Sequence, residues 1–103
     1  MSSFAEVEMK IVQWGEARKI IPNAKPSTQL LKAVSELGEL ADAEIKGDRA
    51  EMIDAVGDVV VCLIMYCALH DLNLTSCIYA AYDQIKDRKG TLLPNGVFVK
   101  ETT

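Results

Sequence analysis

The chain has 103 residues, half of them apolar and a quarter charged, enough for one small domain and too few for two. Eleven Lys and Arg against fifteen Asp and Glu give a net charge of −4, so no basic stripe is available to displace phosphate counterions, and nucleic-acid binding is not expected. Cys62, Cys67 and Cys77 are odd in number, lie in apolar runs and lack paired spacing. They read as reduced core thiols of a cytoplasmic protein, with zinc ligation not expected.

The first residues show no basic segment followed by a long apolar run, so no signal peptide is expected. Phe4, Val7, Ile11, Trp14, Arg18 and Ile21 recur at three- and four-residue spacing and predict an amphipathic helix over 4–20, stopped by Pro22. Trp14 falls on its inner side, as a core residue or as a platform on which a base could stack. Residues 21–27 read as a loop, and Ser27 or Thr28 as the cap of a second helix over 28–46. Leu30, Val34, Leu37, Ala41 and Ile45 form the expected core side of that helix. Gln29, Lys32, Glu36, Glu39 and Ala43 share a different stripe.

Gly47 and Asp48 separate it from a third helix over 49–70. Met52, Val56, Val59 and Leu63 mark one side, with Glu51, Asp54, Ala55 and Asp58 roughly opposite. The uncharged run Val59–Leu69 is well short of the roughly 20 residues of a membrane span and predicts a buried helix with no membrane role. Asp71 or Asn73 could cap a fourth helix over 74–88, with Leu74, Cys77, Ile78, Ala81 and Ile85 inward and Gly90 as its stop. In the tail, Asn95 and Gly96 precede Val97, Phe98 and Val99, which predicts a short turn and strand or a segment packed on a neighbour.

Acids on helices ordinarily face water, and that reading suits Glu6, Glu8, Asp42, Asp48 and Asp87. It fails for Asp58, hemmed in by Val56, Gly57, Val59, Val60 and Val61, where an unpaired carboxylate costs several kcal/mol or loses its charge. Lys32, one turn before Glu36, is one compensating partner. If helices two and three pack antiparallel across the Gly47 turn, four or five carboxylates converge on that single lysine. Like charges about 4 Å apart repel by roughly 4 kcal/mol at an effective dielectric near 20. A hard divalent cation removes the penalty, so Glu36, Glu39, Glu51, Asp54 and Asp58 are candidate metal ligands. An all-oxygen set favours Mg²⁺, with Mn²⁺ as a substitute. A metal there implies an anionic ligand, for which Gln29, Lys32, Lys86, Arg88 and Lys89 are the donors and Tyr82 a further contact. For the cations after helix four, the alternative is a solvated C-terminal turn favoured by the helix dipole.

The order Glu36-Leu37-Gly38-Glu39, then Glu51 to Asp54, then Gly57-Asp58 before three valines, then Ala81 to Gly90 resembles the MazG-like branch of the all-α nucleoside triphosphate pyrophosphohydrolases, over residues 27–90. The resemblance implies a single all-α domain, 1–103, built as a four-helix bundle-like fold with a short extended tail and assembled as a homodimer or homotetramer. It also implies Mg²⁺ held by the ExxE and ExxD acids, and hydrolysis of a nucleoside triphosphate between the α and β phosphates to a monophosphate and pyrophosphate. Glu36 and Glu39 match the first acid pair and Asp58 the last acid of the second motif. Where many members carry a further Glu, this chain has Ala55. Glu51 and Asp54 themselves fit ExxD, and either could supply the missing oxygen. In this reading Glu36 or Glu39 takes the proton of the attacking water, Lys32, Lys86 and Lys89 balance the leaving pyrophosphate, and Trp14 or a partner subunit stacks on the base. Two rival expectations stand beside it: a phosphoribosyl-ATP pyrophosphohydrolase-like or other nucleotide phosphohydrolase, and a catalytically weak nucleotide-binding helical assembly module prompted by Ala55.

Overall fold

The computed structural model describes residues 3–101. They form α1 (Phe4–Ala17), α2 (Pro26–Lys46), α3 (Arg49–Leu69), α4 (Leu74–Ile85) and the strands β1 (Gly90–Leu92) and β2 (Phe98–Lys100). The all-α plan with an extended tail is as expected.

Three helix starts follow from local side-chain chemistry. Ser3 Oγ accepts the Glu6 N–H, Asp48 Oδ1 the Glu51 N–H and Asn73 Oδ1 the Ser76 N–H, at 3.2, 3.1 and 2.8 Å, each satisfying an amide the helix cannot. Helix α2 departs from the expected Ser27 or Thr28 cap. It begins at Pro26 behind Lys25, with no side-chain cap bond; a proline at the first helical position has its φ already set for the helix. Gly47 ends α2 in the left-handed region, φ 69°, where a Cβ is strained. Helix α1 stops at Ala17 and α4 at Ile85, each three residues before the expected end, which leaves Lys86, Arg88 and Lys89 in the turn leading to the tail.

Helices α2 and α3 form an antiparallel hairpin with the most extensive contact in the chain, while α3 also touches α1 and α4. Small residues make the close approach possible: Ala33 and Ala43 from α2, and Ala55 and Cys62 from α3, are buried along the seam. By length and composition α3 could cross a membrane, but here it is the central helix, with Ile64, Met65 and Cys67 buried among its neighbours. Helix α1 seats on it through Gly15, where an added Cβ would lie 2.7 Å from Met65 Sδ.

The expected core sides are largely uncovered. Val34 and Ile45 are 63% and 84% exposed, Leu30, Leu37 and Val56 are exposed as well, and Met52, Val59 and Leu63 are only half-buried. Helix α2 instead meets α3 through the stripe that carries Gln29, Ala33, Glu36, Leu40 and Ala43. Phe4, Val7 and Trp14 on α1, and Cys77, Ile78, Tyr82 and Ile85 on α4, are exposed too. Cys77 is therefore not a core thiol in the single chain, unlike Cys62 and Cys67. The reason is common to all: three helices packed around one leave each outer helix with a second apolar side and nothing to bury it.

Glu8 reverses the expectation of a solvated acid. It is 5% exposed, and its carboxylate accepts hydrogen bonds from the Leu74 N–H, from the Thr75 N–H at 3.0 Å and from Thr75 Oγ1 at 2.6 Å. The negative charge sits at the N-terminus of α4, where the helix dipole favours it. It ties α1 to α4 across the ends of the bundle. The tail forms an antiparallel hairpin pairing Gly90 with Lys100, Thr91 with Val99 and Leu92 with Phe98, and it contacts none of the four helices.

Candidate active site

The α2–α3 hairpin brings Glu36, Glu39 and Asp58 to one side of its seam. Glu36 and Asp58 are half-buried, Glu39 exposed. Glu36 Oε2 is shielded from water and has no hydrogen-bond partner, an arrangement that costs about 1–3 kcal/mol or more when left uncompensated. The Glu36 carboxyl is held above its usual range, first by its hydrogen bond with Glu39, then by burial and by the negative charges of Glu39 and Asp58, with Lys32 acting the other way. Burial raises the Cys62 thiol as well, and the same Lys32, Glu36 and Asp58 charges act on it. Cys62, one turn beyond Asp58, is a buried free thiol, as expected.

Lys32 does not neutralise the cluster. Among the described residues the ion pair within 4 Å is Lys86 with Asp83, at 3.4 Å and solvent-exposed, a kind of pair worth little. Glu51 extends the acidic side toward the turn, where it lines a cavity of about 190 Å³ with Glu39, Asp42, Ala43, Lys46 and Asp48. Asp54 is exposed and is not among the charges that shift Glu36. Ala55 is 2% exposed in the α2–α3 seam, where its methyl supplies no ligand oxygen.

Gln29 is half-buried on the α3-facing stripe of α2, two turns before Glu36. Trp14 lines a groove of about 350 Å³ with Val7, Lys10, Ile11 and Val61. Val61 follows Asp58 by about one helical turn on α3. The Arg18 guanidinium lies 4.3 Å from the centre of the indole, so one face of Trp14 is already covered by a cation. Helix α4 makes no contact with α2, so Tyr82, Lys86, Arg88 and Lys89 are not gathered with the acids inside one chain. Arg88 and Lys89 instead line an open groove of about 960 Å³ with Phe98, Val99 and Lys100 of the hairpin.

Among the described residues, no three Asp, Glu, His or Cys side chains already converge on a point that one ion could occupy. The donors nevertheless suit a hard cation: carboxylate oxygens, one of them orphaned, with Glu39 exposed and free to change rotamer.

No family model matches the chain. A solved structure of the cyanophage S-2L MazG-like pyrophosphohydrolase, bound to dGDP and three catalytic Mn²⁺ ions per active site, is similar with a TM-score of 0.68, covering 99% of this chain and 100% of that one at 24% identity. The fold is MazG-like. A curated protein of Haemophilus phage HP1 (strain HP1c1), described as an uncharacterized 18.2 kDa protein in the rep-hol intergenic region, is 28% identical over 65 residues. That match takes in 63% of this chain and 40% of the relative's own length. The MazG-like similarity of fold covers 99% of the chain.

Proposed function

We propose that this chain hydrolyses nucleoside triphosphates to the monophosphate and pyrophosphate, with Mg²⁺ as its metal and Mn²⁺ as a substitute, acting as a single domain in a homo-oligomer. The observation that carries the reading is the orphaned Glu36 Oε2 inside a cluster with Glu39 and Asp58 that one lysine does not balance. The dGDP and Mn²⁺ bound by the S-2L protein of the same fold support it.

Glu36, Glu39 and Asp58 would hold the metal, with Glu51 beside Glu39 as the further oxygen in preference to Asp54. The metal supplies charge neutralisation for the triphosphate and acidifies the attacking water. Whichever of Glu36 and Glu39 is not engaged in ligation accepts the proton of that water. Lys32 offsets charge at the phosphates. Gln29 donates to the ligand from the same helix, and the groove beside Trp14 receives the base. Tyr82, Lys86, Arg88 and Lys89 serve the site only if a second copy brings them to it.

The test is phosphorus NMR of nucleoside triphosphates incubated with the protein and Mg²⁺. Pyrophosphate and monophosphate in equal amounts are expected, and orthophosphate as the first product refutes the bond assignment. Ala55, which lacks a ligand oxygen in the second acidic motif, favours one rival, a catalytically weak nucleotide-binding helical assembly module. Calorimetry that detects Mg²⁺-dependent binding of a non-hydrolysable triphosphate, with no turnover of a hydrolysable one, establishes that rival.

A further inference from the structure

The geometry points to a redox-sensitive clamp at the corner where α3 ends and α4 begins, in which Cys67 and Cys77 are a thiol pair that a low-molecular-weight disulfide converts into an intrachain disulfide. Neither residue belongs to the acidic cluster, so the clamp stands or falls apart from the catalytic reading.

The corner is tightly tied. Cys67 lies in the last turn of α3 and Cys77 in the first turn of α4, joined by residues 70–73. The Cys67 carbonyl accepts the His70 and Leu72 N–H groups at 3.0 and 2.8 Å, which folds the connection back over the end of α3. The Cys77 N–H donates to the Asn73 carbonyl at 3.3 Å, which seats Cys77 in its helix. From α1, the Glu8 carboxylate holds the Leu74 and Thr75 amides, and its charge also acts on Cys67. The Cys67 side chain and the start of α4 therefore share one corner, where α3 touches α4 and the two thiols are hydrogen-bonded to each other. A disulfide needs its sulfurs brought together across a short backbone separation, and this junction supplies that approach.

The two thiols are unequal, and the inequality orders the reaction. Cys77 is exposed, whereas Cys67 is 4% exposed. Burial pushes the Cys67 thiol up to about 11, with the charge and hydrogen bond of Cys77 and then the charge of Glu8 adding to it. The thiolate is the nucleophile, so Cys77 meets the reagent first and Cys67 is the resolving group. Cys77 gives its proton to solvent and its Sγ attacks one sulfur of the small disulfide. The reagent's S–S bond breaks, and the electron pair leaves on a small thiolate that takes up a proton. Cys67 then loses its proton and attacks Cys77 Sγ, displacing the second small thiol. Two cysteines are oxidised and the reagent is reduced to two thiols. Capping Cys77 removes one of the charges that hold the proton on Cys67, so the first step eases the second. The bond formed would join α4 to α3 covalently, beside the hydrogen bonds by which Glu8 joins α4 to α1.

The test treats the folded full chain with oxidised glutathione and follows intact mass without reductant. Chymotrypsin, which cuts at Tyr66 and Leu72, then separates the three cysteines for mapping. The expected product is lower in mass by two hydrogens, carries a Cys67–Cys77 bond, and keeps Cys62 as its one free thiol. Its Tm is expected to be higher by on the order of 10 °C, since a short loop is closed, and reductant should reverse both changes. Cys67→Ser is expected to stop at a glutathione adduct on Cys77, and Cys77→Ser to keep both remaining thiols free. If either variant does not fold, the wild-type map still decides. A wild-type chain that keeps three free thiols, or that accumulates a glutathione adduct without the intrachain bond, overturns the proposal. So does a bond that uses Cys62, or one that joins Cys77 of two chains.

Discussion

Replacing Glu8 with alanine removes the one acceptor shared by the Leu74 N–H, the Thr75 N–H and Thr75 Oγ1. Hydrogen bonds to a charged acceptor contribute about 1.5–3 kcal/mol each, and a buried donor left alone costs about 1–3 kcal/mol. The site is only partly buried, so water recovers some of that, and a net loss of about 3 kcal/mol is expected from a total that is typically about 5–15 kcal/mol. On a domain of this length the loss corresponds to a Tm lower by about 12 °C or more. Urea unfolding at fixed protein concentration, wild type against Glu8→Ala and Thr75→Val, is the assay. Thr75→Val should lose about 1 kcal/mol, since the two backbone donors keep their carboxylate.

The pH dependence gives a second readout. Burial pushes the Glu8 carboxyl up, and the hydrogen bonds from Thr75 Oγ1 and from the Leu74 and Thr75 amides more than offset it, leaving the group below its ordinary value. A depressed folded-state pKa means that the stabilisation is complete above the ordinary carboxylate range and is lost as pH falls through the folded value. The gap between wild type and Glu8→Ala should therefore narrow on acidification below about pH 4. A gap under about 0.5 kcal/mol at neutral pH, the range of ordinary surface substitutions, would refute the assigned latch between α1 and α4.

Other outcomes follow from single contacts. Gly15→Ala places a methyl 2.7 and 2.8 Å from Met65 Sδ and Cε and 3.1 Å from Ile21 Cδ1. It should cost a net ~1 kcal/mol after the helix-propensity gain, and Met65→Ala in the same chain should show a favourable coupling in a double-mutant cycle. Gly47→Ala should destabilise by about 1 kcal/mol at φ 69°, seen as a lower urea midpoint with an unchanged slope. Glu36→Gln and Asp58→Asn should each lower Mg²⁺-dependent pyrophosphate release by on the order of 10²-fold or more while leaving the thermal midpoint near wild type. Full turnover by Asp58→Asn removes it from the ligand set.

Local chemistry alone determined much of the fold: the capping side chains Asp48 and Asn73, the Gly47 stop and the 3.6-residue periods are all properties of neighbouring residues, so four helices were legible. The association of Glu36, Glu39, Asp58 and Lys32 was legible for the same reason, since a short turn between two helices leaves few ways to pair them. Tertiary structure alone decided which of two apolar-compatible stripes of α2 meets α3. Small residues at Ala33, Ala43, Ala55 and Cys62 allow a closer seam than the larger Leu30 and Val34, and periodicity does not rank stripes by size. It alone decided that Glu8 is buried, because the donors at Leu74 and Thr75 are 66 and 67 residues away. A carboxylate's environment at that separation is a property of how helices dock, not of the residues beside it.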